Sequence, residues 1–135
     1  MNHIFFRIGA ACALLQLFGL SAISAQDSAE RFMLEARNRA QYWNARGYDF
    51  DPLVTTADSM DRRVQDLRRA EYWRDRGFQF DANKLSAWAM DRKAEAKLRE
   101  EYWRQWGIEF DSDLMDAATM DDAAVKLQQI RTKLA

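Results

Sequence analysis

Apolar residues from position 57 onward step by three and four, as in Ala57, Met60, Val64 and Leu67, and later Ala117, Met120, Ala124, Leu127, Ile130 and Leu134. That spacing lays one buried stripe along a helix. The faces between carry opposite charges at helical distance, among them Asp58 with Arg62, Glu95 with Arg99, Glu100 with Arg104 and Asp122 with Lys126. No Gly or Pro interrupts residues 56–76. The pattern predicts principal helices over about 57–76, 87–106 and 117–134, preceded by one over 28–46 in which Phe32, Met33 and Leu34 lead into Tyr42 and Trp43. Residues 26–30 read as a disordered lead-in.

The same chain repeats itself every thirty residues. AQYWNARGYDFDPLVTTADSMD begins at Ala40, AEYWRDRGFQFDANKLSAWAMD at Ala70 and EEYWRQWGIEFDSDLMDAATMD at Glu100, with no insertion between them. Tyr42-Trp43, Tyr72-Trp73 and Tyr102-Trp103 correspond, as do Gly47, Gly77 and Gly107, and Asp51, Asp81 and Asp111. Units of this kind, here about 40–69, 70–99 and 100–129, stack on their neighbours to share a core. The unit is shorter than the tetratricopeptide repeat of about 34 residues and lacks its small-residue pattern, so the motifs name no family.

Each repeated Gly is placed to end a helix in a Schellman cap, where the following residue packs on the residue four before the Gly. The pairs would be Tyr48 with Trp43, Phe78 with Trp73 and Ile108 with Trp103, all apolar. Arg46 and Arg76 suit the negative helix end. Asp51 precedes the only Pro, Pro52, which suits the start of a one-turn helix or turn near 51–55. Thr56, Ser86 and Asp116 then cap the main helices. The fold expected is therefore all-α, an up-and-down bundle or short tandem array with one helix per repeat. A helical-hairpin solenoid kinked near Thr56 is the alternative.

Residues 1–25 have the parts of a secretory signal: Arg7 in a short basic region, an apolar stretch from Ile8 to Leu20, and small residues from Ser21 to Ala25. Cleavage after Ala25 is expected, leaving 26–135 as a single helical repeat domain, periplasmic or secreted in a bacterium; retention as an anchor is the other reading. The only His (His3) and the only Cys (Cys12) fall in this segment. The mature chain would then hold no Cys nucleophile, His base, Ser-His-Asp triad or Cys/His zinc site, and no disulfide. No cofactor is expected, and no membrane span after signal cleavage.

Charge sharpens this further. The whole chain has 20 Lys plus Arg against 21 Asp plus Glu, a formal net of -1, which offers none of the basic excess of a nucleic-acid binder. Arg62-Arg63 and Arg68-Arg69 lie among Asp58, Asp61, Asp66 and Glu71, which neutralise them. The acidic run of Asp111, Asp113, Asp116, Asp121 and Asp122 lacks the Asp-x-Asp-x-Asp-Gly loop and terminal Glu of a calcium site, and reads as a solvated helix start. Asp61, Asp91 and Asp121 recur strictly, either for the positive helix end or for a contact with an Arg of the neighbouring unit.

The Tyr-Trp pairs read as caps and shared core. Trp88 and Trp106 differ, standing where other units carry Asp58 and either Arg46 or Arg76, so they form the candidate binding surface. These features point to a non-enzymatic scaffold that binds a protein partner or itself. The alternative is a cell-wall or carbohydrate-binding module using exposed aromatics.

Overall fold

The computed structural model describes residues 9–134, with side chains described from residue 24. The expected basic region, with His3 and Arg7, lies outside the described residues, as do the side chains of the apolar stretch through Ile23. The described chain is all helical: α1 (Gly9–Asn44), α2 (Ala57–Arg74), α3 (Ala87–Gln105) and α4 (Ala117–Leu134). Two compact units are present, one ending at Asp61 and one beginning at Arg62.

The predicted elements are present with two differences. Helices α2 and α3 stop at Arg74 and Gln105, just short of the expected ends, because the residues before each Gly already belong to the closing turn. Helix α1 runs back to Gly9, so residues 26–30 are helical and not a disordered lead-in. Between the closing turn at each Gly and the next helix the chain makes only a short turn, at 52–54, 82–84 and 112–114, so one helix lies between successive glycines, as the preferred reading expects, and not a pair.

The helix ends follow from the chemistry of their caps. Gly47, Gly77 and Gly107 take φ of 88°, 88° and 71°, a left-handed conformation that costs a residue with a Cβ about 1–2 kcal/mol. The next N–H turns back to the chain: Tyr48 to Trp43 O (3.1 Å), Phe78 to Trp73 O (3.0 Å) and Ile108 to Trp103 O (3.0 Å). The expected hydrophobic partners meet, with Trp43–Tyr48 and Trp73–Phe78 edge-to-face and Ile108 buried. Arg46 and Arg76 donate to the Tyr42 and Tyr72 carbonyls near the helix ends, at 2.9 and 3.0 Å.

Helix starts are capped as the residue types require. Thr56 Oγ1 accepts from Ser59 N (3.3 Å), Ser86 Oγ from Ala89 N (3.2 Å) and Asp116 Oδ1 from Thr119 N (2.8 Å). Asp51, Asp81 and Asp111 each accept the N–H two residues on, at 2.8, 2.9 and 2.9 Å, which fixes the short turns.

The core is thin and built from small residues. Ala57, Ala87 and Ala117 are buried at the starts of α2, α3 and α4, and Met60, Met90 and Met120, three residues on in each helix, are fully buried. In the second unit α3 packs on α4, burying Ala94, Ala96 and Ala124. No polar or charged residue is buried among the described residues. The apolar stripe fails in two places. Leu127, Ile130 and Leu134 continue it on α4 but are exposed, and Phe32 and Leu34 on α1 are exposed too and do not pack into the Tyr42-Trp43 cap, because no described helix covers these faces.

Candidate functional site

Three of the five tryptophans serve the fold. Trp43 Nε1 donates to Asp61 Oδ1 at 2.7 Å, Trp73 to Asp91 at 2.7 Å and Trp103 to Asp121 at 2.8 Å. The same carboxylates take an Arg: Arg39 at 2.5 Å from Asp61, Arg69 at 3.4 Å from Asp91 and Arg99 at 3.5 Å from Asp121. The recurring Asp is thus an acceptor shared by an indole and a guanidinium of the preceding helix. Of the two roles open to it in the sequence, the contact with a neighbouring Arg is the one formed. Arg99 reaches Asp121 across to α4, whereas Glu100 and Arg104 bond along α3 as spaced.

Several other charged residues are also held by structure. Arg63 donates to Ala82 O and to Asn83 Oδ1, each at 2.5 Å, and Asp66 Oδ1 accepts Ala87 N–H at 2.6 Å. Hydrogen bonds from Asn83 hold the Asp81 carboxyl below its ordinary range, helped by Lys84. Bonds from Thr119 do the same for Asp116, and bonds from Ser112 do so for Glu100.

Trp88 and Trp106 stand apart. Their side chains are 70% and 63% exposed, whereas Trp43 is buried and Trp73 and Trp103 are half-buried. Trp88 stands in the first turn of α3 and Trp106 is its C-cap, one residue past the last helical residue; their separation of eighteen residues equals five turns at 3.6 residues each, so the helical path from Trp88 leads back to the same side about 27 Å on, at 1.5 Å per residue. Side chains between them fill that face. Arg92 lies over the Trp88 ring at 5.5 Å and pairs with Glu95 at 3.6 Å. Arg99 lies 5.7 Å from the Tyr102 ring, which in turn stands 6.4 Å from Trp106. At the earlier helix ends Arg46 and Arg76 sit 3.5 Å over Tyr42 and Tyr72, so Trp106 replaces a cation with a second aromatic.

Beside this face, Trp73, Asp91, Glu95, Leu98, Arg99 and Tyr102 line a shallow groove, with Leu98 exposed at its lip. No protein family, curated protein or solved structure matches this chain. The surface has to be read from its own side chains. It offers flat aromatic area at both ends, cations held against rings, and an apolar groove alongside, a set suited to adhesion through burial and cation–π contact. The sequence marked Glu95 and Arg99 as a charge pair and Tyr102 as a repeated aromatic, but placed none of them, nor Arg92, beside Trp88 and Trp106, although helical spacing from Trp88 puts all four on its side of α3.

Proposed function

We propose that this chain is an exported, non-enzymatic tandem array of thirty-residue helical units, cleaved after Ala25, that binds a protein partner through the Trp88–Trp106 face of α3. The observation that carries the reading is the exposure of those two indoles, one in the first turn of α3 and one at its C-cap. Single exposed aromatics are ordinary, but Trp and Tyr grouped along one face, with Arg against them, match the composition of binding hot spots. Neither Trp is required by the caps that the other three tryptophans serve. The reading as a binding module in place of an enzyme rests on residue types, since His and Cys occur only in residues 1–25. Crosslinking in the native host, with the parent and a Trp88→Ala, Trp106→Ala variant, tests it. A crosslinked partner present with the parent and lost with the variant is expected; equal capture by both would refute the assignment of the face.

The exposed indole faces favour one second reading, stacking on sugar rings of cell-wall polysaccharide. That reading expects co-sedimentation with purified wall polysaccharide, abolished in the same variant.

A further inference from the structure

Side chains from the C-terminal halves of α2 and α3 reach the helix that follows. Arg69 pairs with Asp91 of α3 at 3.4 Å and Arg99 with Asp121 of α4 at 3.5 Å, and Trp73 and Trp103 donate to the same carboxylates. The cation is on the holding helix and the carboxylate on the held one. Helix α4 is held through its N-terminal half, where Ala117, Met120 and Ala124 are buried. No described helix lies on its C-terminal half, where Leu127, Ile130 and Leu134 are 41%, 54% and 83% exposed. With half-buried Ala123 these residues step by four, three and four, the spacing of a coiled-coil seam. At about 100° per residue, Lys126 and Lys133 fall on one flank of that seam and Arg131 on the other. All three cations are exposed, and none forms an ion pair among the described residues. Residues 123–135 contain no Asp or Glu.

We infer that the C-terminal half of α4 is the docking surface for an acidic amphipathic helix of a partner protein, one with apolar residues at the facing core positions and Asp or Glu on both flanks. A bare seam lined by cations on each side is completed by a helix of opposite charge, because flanking ion pairs select the partner in contacts of this kind. The cation then stays on the holding helix, as it does in α2 and α3. A further unit of this array does not suit the surface. Gln129 and Lys133 stand where α3 has Arg99 and Trp103, so the recurring Asp of such a unit would find no indole donor. A second copy joined α4 to α4 would set Lys and Arg against Lys and Arg. A lipid surface calls for a broad apolar face with aromatic anchors, whereas α4 has a single row and no aromatic residue. The surface goes beyond the Trp88–Trp106 face and uses neither indole.

Fluorescence anisotropy of a labelled synthetic helix, with Leu at its core positions and Glu at the flanking ones, tests the assignment on protein purified as its host processes it. A second synthetic helix with Lys at the flanks is the control. The parent should bind the Glu helix, more weakly as salt is raised, and leave the Lys helix free. Lys126→Glu, Arg131→Glu and Lys133→Glu together should weaken binding of the Glu helix about tenfold or more and confer binding of the Lys helix, a gain that also shows the variant to be folded. Leu127→Ser with Ile130→Ser keeps every charge and should lose the Glu helix while circular dichroism stays that of the parent. No binding of the Glu helix by the parent, undiminished binding by either variant, or its loss in a Trp88→Ala, Trp106→Ala protein would overturn the assignment. So would a parent that sediments with phosphatidylglycerol vesicles in place of binding the Glu helix, which points to lipid, or one whose mass rises with concentration unless the three cations are reversed, which points to a second copy.

Discussion

Gly77 shows how a single residue fixes a helix end. A Cβ there would meet no atom within 4 Å, so the only obstacle to Ala is the φ of 88°. Gly77→Ala should cost about 1–2 kcal/mol in denaturant unfolding, and Gly77→Asn less, since Asn tolerates the left-handed conformation. If the two cost the same, conformation is not what holds Gly there. Trp103, Asp121 and Arg99 form a second residue-scale unit, in which one carboxylate satisfies two donors. Trp103→Phe should cost about 1 kcal/mol beyond its small packing loss, and in a double-mutant cycle with Asp121→Asn the two effects should fall short of their sum. Much of this was legible, because the period of thirty showed Trp, Gly and Asp recurring together. The bond from indole to carboxylate was not legible, since its partners are eighteen residues apart in sequence and meet only when one helix lies beside the next.

Helices are set by their caps and by a core of small residues. Asp81, Glu100 and Asp116 all titrate below their ordinary values because they accept hydrogen bonds from the turns and helix starts they hold. A carboxyl whose folded-state pKa is depressed adds stability that is full above its unfolded pKa and is lost as pH falls through the folded one. Unfolding midpoints should therefore drop on acidification below about pH 4. Asp116→Asn keeps an acceptor at the cap but removes the titration, so its midpoint should fall less steeply; an unchanged slope would contradict the assignment. Met90 is fully buried, and Met90→Ala should cost about 2–5 kcal/mol by thermal or denaturant unfolding. The periodicity of three and four located α2, α3 and α4 well but could not tell a covered stripe from a bare one. Leu127, Ile130 and Leu134 fit the stripe as well as Ala117 and Met120 do, and only the absence of a described neighbouring helix leaves them exposed.

At the scale of the whole molecule, the four described helices, in two compact units, use their recurring tryptophans for structure and leave the two tryptophans outside the recurrence at the surface. Trp88 and Trp106, the two tryptophans that break the pattern, are also the two most exposed. The partner itself has no signature in the sequence, because adhesion by aromatic area needs no fixed motif. The most direct test of the account is acrylamide quenching of tryptophan emission, on the parent and on a Trp88→Phe, Trp106→Phe variant. The account predicts a red-shifted, readily quenched component in the parent that disappears in the variant, leaving the blue, protected emission of Trp43, Trp73 and Trp103. A parent that already emits blue and resists quenching would show all five indoles to be packed and would remove the basis for a binding face on α3.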